Sequence, residues 1–170
     1  LVGNLAQWPF APTNIAKKNL IAEGKSADTI YVTGNTIVDA LLYTADRCPP
    51  FVLPEFADCK MILFTAHRRE NIGQPFSEIC RAARYLADMR DDIFILFPVH
   101  PNPAIKDAAY SYLSNHSRIR LTPPLDYIDF IAAMKSSFFI LTDSGGVQEE
   151  APSLRKPVLV LRNETERPEG

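Results

Sequence analysis

The chain has little cysteine. Its three, Cys48, Cys59 and Cys80, are odd in number and show neither a C-x-x-C pair nor a Cys/His ligand spacing. That argues against a disulfide framework and against a zinc site or other metal centre, and fits a reduced, cytoplasmic setting. Basic runs are also scarce: none is longer than His67-Arg68-Arg69, and 18 lysines and arginines against 20 acidic residues leave a formal charge of −2. Nothing here resembles an electrostatic footprint for nucleic acid, so small-molecule partners are expected. No apolar stretch reaches the length of a membrane span, and the N-terminus lacks a charged region followed by an apolar one, so the chain reads as soluble and unexported. Internal repeats and low-complexity tracts are absent too.

What is present suits an ordinary core. A compact fold of 170 residues buries roughly 70% of the surface its unfolded chain exposes. Five short apolar runs read as strands: "MILFTA" (Met61 to Ala66), "IFILFPV" (Ile93 to Val99), "RIRLT" (Arg118 to Thr122), "FFILT" (Phe138 to Thr142) and "PVLVL" (Pro157 to Leu161). Helices fit between them. Phe76, Ile79, Cys80, Ala83 and Leu86 recur at three- and four-residue steps, as do Tyr127, Phe130, Ile131 and Met134, which predicts amphipathic helices. Strands this uniformly apolar are buried on both faces, as in a parallel sheet flanked by helices. The expected domain is therefore a Rossmann-like α/β unit, half of a doubly wound fold.

Upstream, residues 12 to 24 read as a helix closed by Gly24, "TIYV" (Thr29 to Val32) as a short strand and Thr36 to Arg47 as a second helix. "CPPFVLPEFADC", with three prolines in twelve residues, reads as a linker, since neither a helix nor a central strand tolerates that density. The expected organisation is residues 1–47 as the end of another domain, 48–59 as linker and 60–170 as the Rossmann-like domain.

In open α/β sheets, ligands bind outside the carboxyl ends of the strands, where helix N-termini also point. The runs end in "AHRRENIG", "VHPNP", "TPP" and "TDSGG", so His67, His100 and Ser144 should share one edge. Gly145 and Gly146 let backbone N–H groups approach an anion, with Ser144 as cap or direct donor, and the chemistry suggested is a phosphate. The alternative is an ordinary strand-to-helix turn. Glu149 and Glu150 are about 100° apart around a helix, so at most one faces the cleft. Glu150 is either a carboxylate for the two hydroxyls of a ribose or part of a solvated face. His67 read alone suits a structural role as well as a chemical one, Arg68, Arg69 and Glu70 suit a charged loop, and His116 suits a structural or exposed position.

Taken together, "FAPT", "VTGNTIVDAL", "TAHRRENIG", "PVHPNP" and "LTDSGGVQEEAPSLRKPVLVLRNETERPEG" resemble, in order and spacing, the non-hydrolysing UDP-N-acetylglucosamine 2-epimerases. The resemblance implies the C-terminal half of a GT-B architecture of two Rossmann-like domains. It also implies interconversion of UDP-N-acetylglucosamine and UDP-N-acetylmannosamine by elimination and re-addition of UDP, with no redox cofactor, and a homodimer in the full-length protein. By position, Ser144, Gly145 and Gly146 correspond to the diphosphate contacts, Glu150 to the ribose ligand and Phe130 to a residue beside the uracil. His67 corresponds to the active-site histidine, stabilising UDP as it departs or returns, and Arg167 to a charged contact from the "ETERPE" loop. Arg68 and His100 match a neighbouring regulatory site for the nucleotide sugar. Arg155 stands where the family usually has glycine, a replacement expected to cost roughly 1 kcal/mol at a left-handed helix cap. The family's acid and base carboxylates belong to the N-terminal domain, so a fragment that binds UDP without catalysing is expected. A GT-B glycosyltransferase, which holds UDP with the same kind of domain, is the alternative.

Overall fold

The computed structural model describes residues 5–165. Two compact units divide between Ala40 and Leu41. The first contains β1 (Phe10–Ala11), α1 (Asn14–Ala22) and β2 (Tyr31–Val32), with β1 and β2 paired in parallel. Helix α1 opens where Thr13 Oγ1 accepts the Ala16 N–H at 3.1 Å. It closes at Gly24, whose φ of 91° lets Lys25 N–H reach back to the Leu20 carbonyl at 3.0 Å, as a left-handed C-terminal cap requires. Thr29, expected at the start of a strand, lies instead in a 3-10 turn over Ala27–Thr29; its hydroxyl donates to the Ser26 carbonyl at 2.8 Å, a local bond that competes with extended pairing. Only Ala11 and Ile30 are buried hydrophobics among the described residues of this unit, while Trp8, Phe10 and Tyr31 are more than half exposed.

Helix α2 (Thr36–Arg47) leads into the second unit, and its Leu41 and Ala45 are buried in that unit's core. The proline-rich stretch that follows lays Phe51, Leu53 and Phe56 against the same core. Then come β3 (Lys60–Thr65), α3 (Gln74–Met89), β4 (Ile93–Pro98), α4 (Pro103–Leu113), β5 (Ile119–Thr122), α5 (Tyr127–Ser136), β6 (Phe139–Thr142), α6 (Gly145–Ser153) and β7 (Val158–Val160). The five strands make one parallel sheet in the order β5-β4-β3-β6-β7.

Both faces of this sheet are covered, and the strand sequences show how. Along β3, Ile62 and Phe64 point to one face, Met61 and Leu63 to the other; along β4, Ile95 and Phe97 alternate with Phe94 and Leu96. The first set packs under Phe76, Cys80 and Ala83 of α3 and Ile105 and Ala109 of α4. The second set meets Ile131 and Met134 of α5 and Val147 and Ala151 of α6. Each large side chain so buried contributes about 1.5–3 kcal/mol, which is why uniformly apolar strands settle between two helical layers rather than at a surface.

The strand order fixes where a crevice opens. From β3 the chain runs outward through β4 to β5, then returns to β6 on the other side of β3. Helices therefore leave in opposite directions from the carboxyl ends of β3 and β6, and the gap between them is the switch point at which open α/β sheets bind ligands.

Candidate functional site

At the carboxyl ends of β3 and β6, Thr65 and Thr142 are register partners. Their hydroxyls lie 2.7 Å apart, and Thr142 Oγ1 also accepts the Ser144 N–H at 3.0 Å. This polar knot ends the two central strands at a common level and sets the start of α6. Ser144 holds the N-cap position with extended φ and ψ of −80° and 125°, but its hydroxyl makes no capping bond. Its carbonyl does the tying, accepting from Gln148 Nε2 at 3.2 Å. Neither Gly145 nor Gly146 has a positive φ, so glycine is not required there by conformation. At Gly146 a Cβ would stand 3.8 Å from both Ser144 Oγ and Glu150 Oε1, ordinary van der Waals contact, so the fold alone does not require glycine there; it would point among groups that line the cavity.

That cavity, about 340 Å³, is lined by groups from every carboxyl strand end of the switch point. Loop residues after β3 and β4 supply His67 and His100. The start of α6 supplies Ser144, Gly146 and Glu150, and the segment entering α5 supplies an apolar wall of Leu125, Tyr127 and Phe130. The two histidine rings stack, with centroids 5.5 Å apart and planes at 12°. His100 Nδ1 accepts the Asn102 N–H at 3.1 Å, which leaves its Nε2 as the other available nitrogen. Glu150 lies one turn beyond Gly146; burial, then the charge of Glu149, pushes its carboxyl above the ordinary glutamate range. Of the two adjacent glutamates, Glu150 lines the cavity and Glu149 does not.

Six candidate residues thus meet in one place: His67, His100, Phe130, Ser144, Gly146 and Glu150. Gly145 is buried in the first turn of α6. Arg68 is not in the lining; its backbone N–H is anchored to the Asp143 carboxylate at 2.8 Å. His100, which the resemblance assigns to a neighbouring regulatory site, shares the cavity with His67. Arg167 lies outside the described residues. His116 is structural: its side chain is 7% exposed, paired through Nε2 to Asp88 Oδ1 at 2.9 Å and accepting the Arg118 N–H at Nδ1.

Asp143 and Asn71 were missed by sequence reasoning. Asp143 is completely buried and accepts from the N–H groups of His67 and Arg68 and from Asn71 Nδ2. Asn71 also donates to the Leu161 carbonyl at 3.2 Å, and Arg162 pairs with Glu70 at 2.6 Å. The loops after β3, β6 and β7 are stitched together by these bonds. Among the described residues no cluster of His, Cys, Asp or Glu is arranged to hold a metal ion, and no helix is long and apolar enough to cross a membrane.

A doubly covered parallel sheet of this order, with a cavity and a bare helix N-terminus at its switch point, defines a Rossmann-like domain. The family model for UDP-N-acetylglucosamine 2-epimerase matches residues 1–170, and the chain belongs to that family. A UDP-N-acetylglucosamine 2-epimerase of Bacillus subtilis is 51% identical over 171 residues, 100% of this chain and 45% of that protein. The solved S. aureus MnaA co-structure with UDP matches with a TM-score of 0.93 and 51% identity, over 99% of this chain and 47% of that one. The Neisseria meningitidis UDP-GlcNAc 2-epimerase bound to UDP-GlcNAc matches with a TM-score of 0.90 and 41% identity, over 98% and 47%. The chain therefore spans about half the length of the relatives it matches, corresponding to the Rossmann-like C-terminal half of these GT-B-like epimerases.

Proposed function

We propose that this chain is the nucleotide-binding half of a non-hydrolysing UDP-N-acetylglucosamine 2-epimerase and that the cavity at the switch point holds UDP. The observation that carries this reading is the meeting of Ser144, Gly146, Glu150, His67 and Phe130 in one cavity of a chain that belongs to this family. The bare start of α6 offers N–H groups and the positive end of the helix dipole to the diphosphate, an attraction of about 0.3–1 kcal/mol near a surface and up to about 2 kcal/mol when partly buried. Gly145 and Gly146 keep that approach clear. Ser144 adds a hydroxyl that the helix does not use. Glu150 accepts both ribose hydroxyls, Phe130 and the wall beside it take the uracil, and Arg167, by its position in the family's motif, supplies a charged contact to the ligand. His67 stabilises the charge on UDP as the bond from carbon 1 to the diphosphate breaks and re-forms. The proton leaves carbon 2 and returns to the other face, so the reaction is redox-neutral. Arg68 and His100 belong, on this reading, to an adjoining regulatory site for the nucleotide sugar.

Residues 1–47 are the end of the N-terminal domain, 48–59 the linker and 60–170 the C-terminal domain. The sparse burial of residues before Leu41 supports a separate first piece, whereas Leu41 and Ala45, on its side of this boundary, are buried in the second unit's core. The carboxylates that move the carbon-2 proton come from the N-terminal domain, so the 170-residue chain binds UDP and does not epimerise. The full-length protein is a cytoplasmic homodimer.

The test is epimerisation in D2O by the full-length protein. Deuterium at carbon 2 of recovered UDP-N-acetylglucosamine is expected; no incorporation, together with sugar transfer to an added acceptor, would favour the glycosyltransferase reading.

A further inference from the structure

The buried carboxylate of Asp143 has a feature that loop anchoring does not use. Its Oδ2 is saturated, accepting from His67 N at 3.0 Å, Arg68 N at 2.8 Å and Asn71 Nδ2 at 2.9 Å. Oδ1 receives one shared contact, from His67 N at 3.1 Å, and the His67 imidazole stands beside it with Nδ1 3.7 Å away. Asp143 is 0% exposed, whereas the His67 side chain is 40% exposed and lines the cavity. One ring nitrogen therefore faces a desolvated negative charge and the other is left for the cavity.

We infer that Asp143 is a positioning residue for His67: it holds the ring proton on Nδ1 and leaves Nε2 as the nitrogen that meets the ligand. Two lone pairs facing each other across this gap would repel, and in a buried setting that repulsion is poorly screened. A proton on Nδ1 turns it into attraction, and although 3.7 Å is longer than a hydrogen bond, this charge contact decides which tautomer is favoured. Nε2 is then an acceptor in the neutral ring. The His100 ring, stacked at 5.5 Å, limits rotation of His67 out of this orientation.

The inference deepens the proposed function and rests on it for the identity of the ligand; the tautomer itself does not depend on UDP. The experiment is an imidazole 15N–1H correlation spectrum of the 170-residue chain with labelled histidine, whose only other members are His100 and His116. His67 is expected as the Nδ1–H tautomer, with its Nε2 resonance shifting when UDP is added. In Asp143→Asn, the amide oxygen takes over the three N–H donors at Oδ2, and the amide nitrogen turns a donor toward Nδ1. The proton should then move, and His67 should appear as the Nε2–H tautomer. Finding Nε2–H in the unsubstituted chain overturns the inference, whether or not the variant folds. An Nδ1–H tautomer retained in a folded Asp143→Asn chain also overturns it. Should UDP fail to bind while His67 keeps Nδ1–H and switches in the variant, the positioning role stands and the nucleotide reading falls.

Discussion

Two cavities of similar size, about 340 and 360 Å³, open at opposite ends of the five-stranded sheet, and they differ in what their polar groups are doing. The cavity at the amino end is walled by Phe51, Leu53, Phe56, Met61, Phe94 and Phe138. Its polar atoms are committed to the fold. Ser137 donates to the Met134 carbonyl, Ser136 accepts the Phe51 N–H and Lys60 pairs with Asp92. At the carboxyl end, the Ser144 hydroxyl is not used by its helix, burial and Glu149 raise the Glu150 pKa, and two stacked histidines line the cavity. Volume does not distinguish the two; convergent polar groups with work still to do mark the candidate site. Helix α6 joins the ends: its first turn faces one cavity, while its last sits at the other end of the sheet.

The largest effect that should separate the two ends is a core truncation at the amino end. Phe94 is 4% exposed and stacks on Phe56 with ring centroids 4.4 Å apart. Phe94→Ala should cost about 3–5 kcal/mol of stability in urea denaturation, with UDP affinity of the folded chain unchanged within about twofold. Loss of UDP binding in chain that is still folded would mean the ends are coupled.

A smaller effect, of opposite sign, is expected at the last turn of α6. Arg155 has φ of 56°, the one positive value among described non-glycine residues. Its N–H bonds to the Pro152 carbonyl at 2.8 Å, and the Lys156 N–H reaches Ala151 at 3.0 Å, the pattern that Gly24 and Lys25 make at the end of α1. One molecule thus carries the same cap twice, once with glycine and once with arginine. Arg155→Gly should stabilise by about 1 kcal/mol and leave UDP binding untouched; no gain in the denaturation midpoint would mean the left-handed position is not strained.

The smallest effect is in pH. Burial and Glu149 raise the Glu150 pKa in the folded state, so this group's contribution to stability is present at low pH and declines as pH rises from the unfolded to the folded pKa. UDP binding runs the other way. It requires the carboxylate and should weaken as pH falls through a value above the ordinary glutamate range, a dependence that Glu150→Gln should lack when the two are titrated in parallel by calorimetry.

How much of this was legible in advance depended on whether the signal was local. The strand at Lys60–Thr65 was readable within a residue because a short apolar run, Met61 to Phe64, bounded by polar residues has few other uses, and Thr36–Arg47 was readable as a helix end to end. The meeting of His67, His100 and Ser144 followed from parallel topology alone. Helical phase limited Glu149 and Glu150 to one in the cleft but not which one; packing of α6 against the sheet decided. Asp143 carried no signal of its own, since its partners lie 72 to 76 residues away and two of them are backbone N–H groups, which any sequence would supply. The stacking of His67 on His100 was likewise invisible, because spacing along two loops does not set the distance between rings.

If the carboxyl end binds a ribonucleotide through Glu150, a calorimetric cycle with and without the ribose hydroxyl will show it. UDP and 2′-deoxy-UDP are each titrated into the chain and into Glu150→Gln. In the unsubstituted chain the deoxy nucleotide should bind roughly tenfold more weakly, about 1.4 kcal/mol, as expected for losing a charge-assisted hydrogen bond. In Glu150→Gln, which keeps the size of the side chain, UDP should weaken by a similar factor and the two nucleotides should bind nearly alike. A deoxy penalty that survives undiminished in Glu150→Gln would contradict the claim.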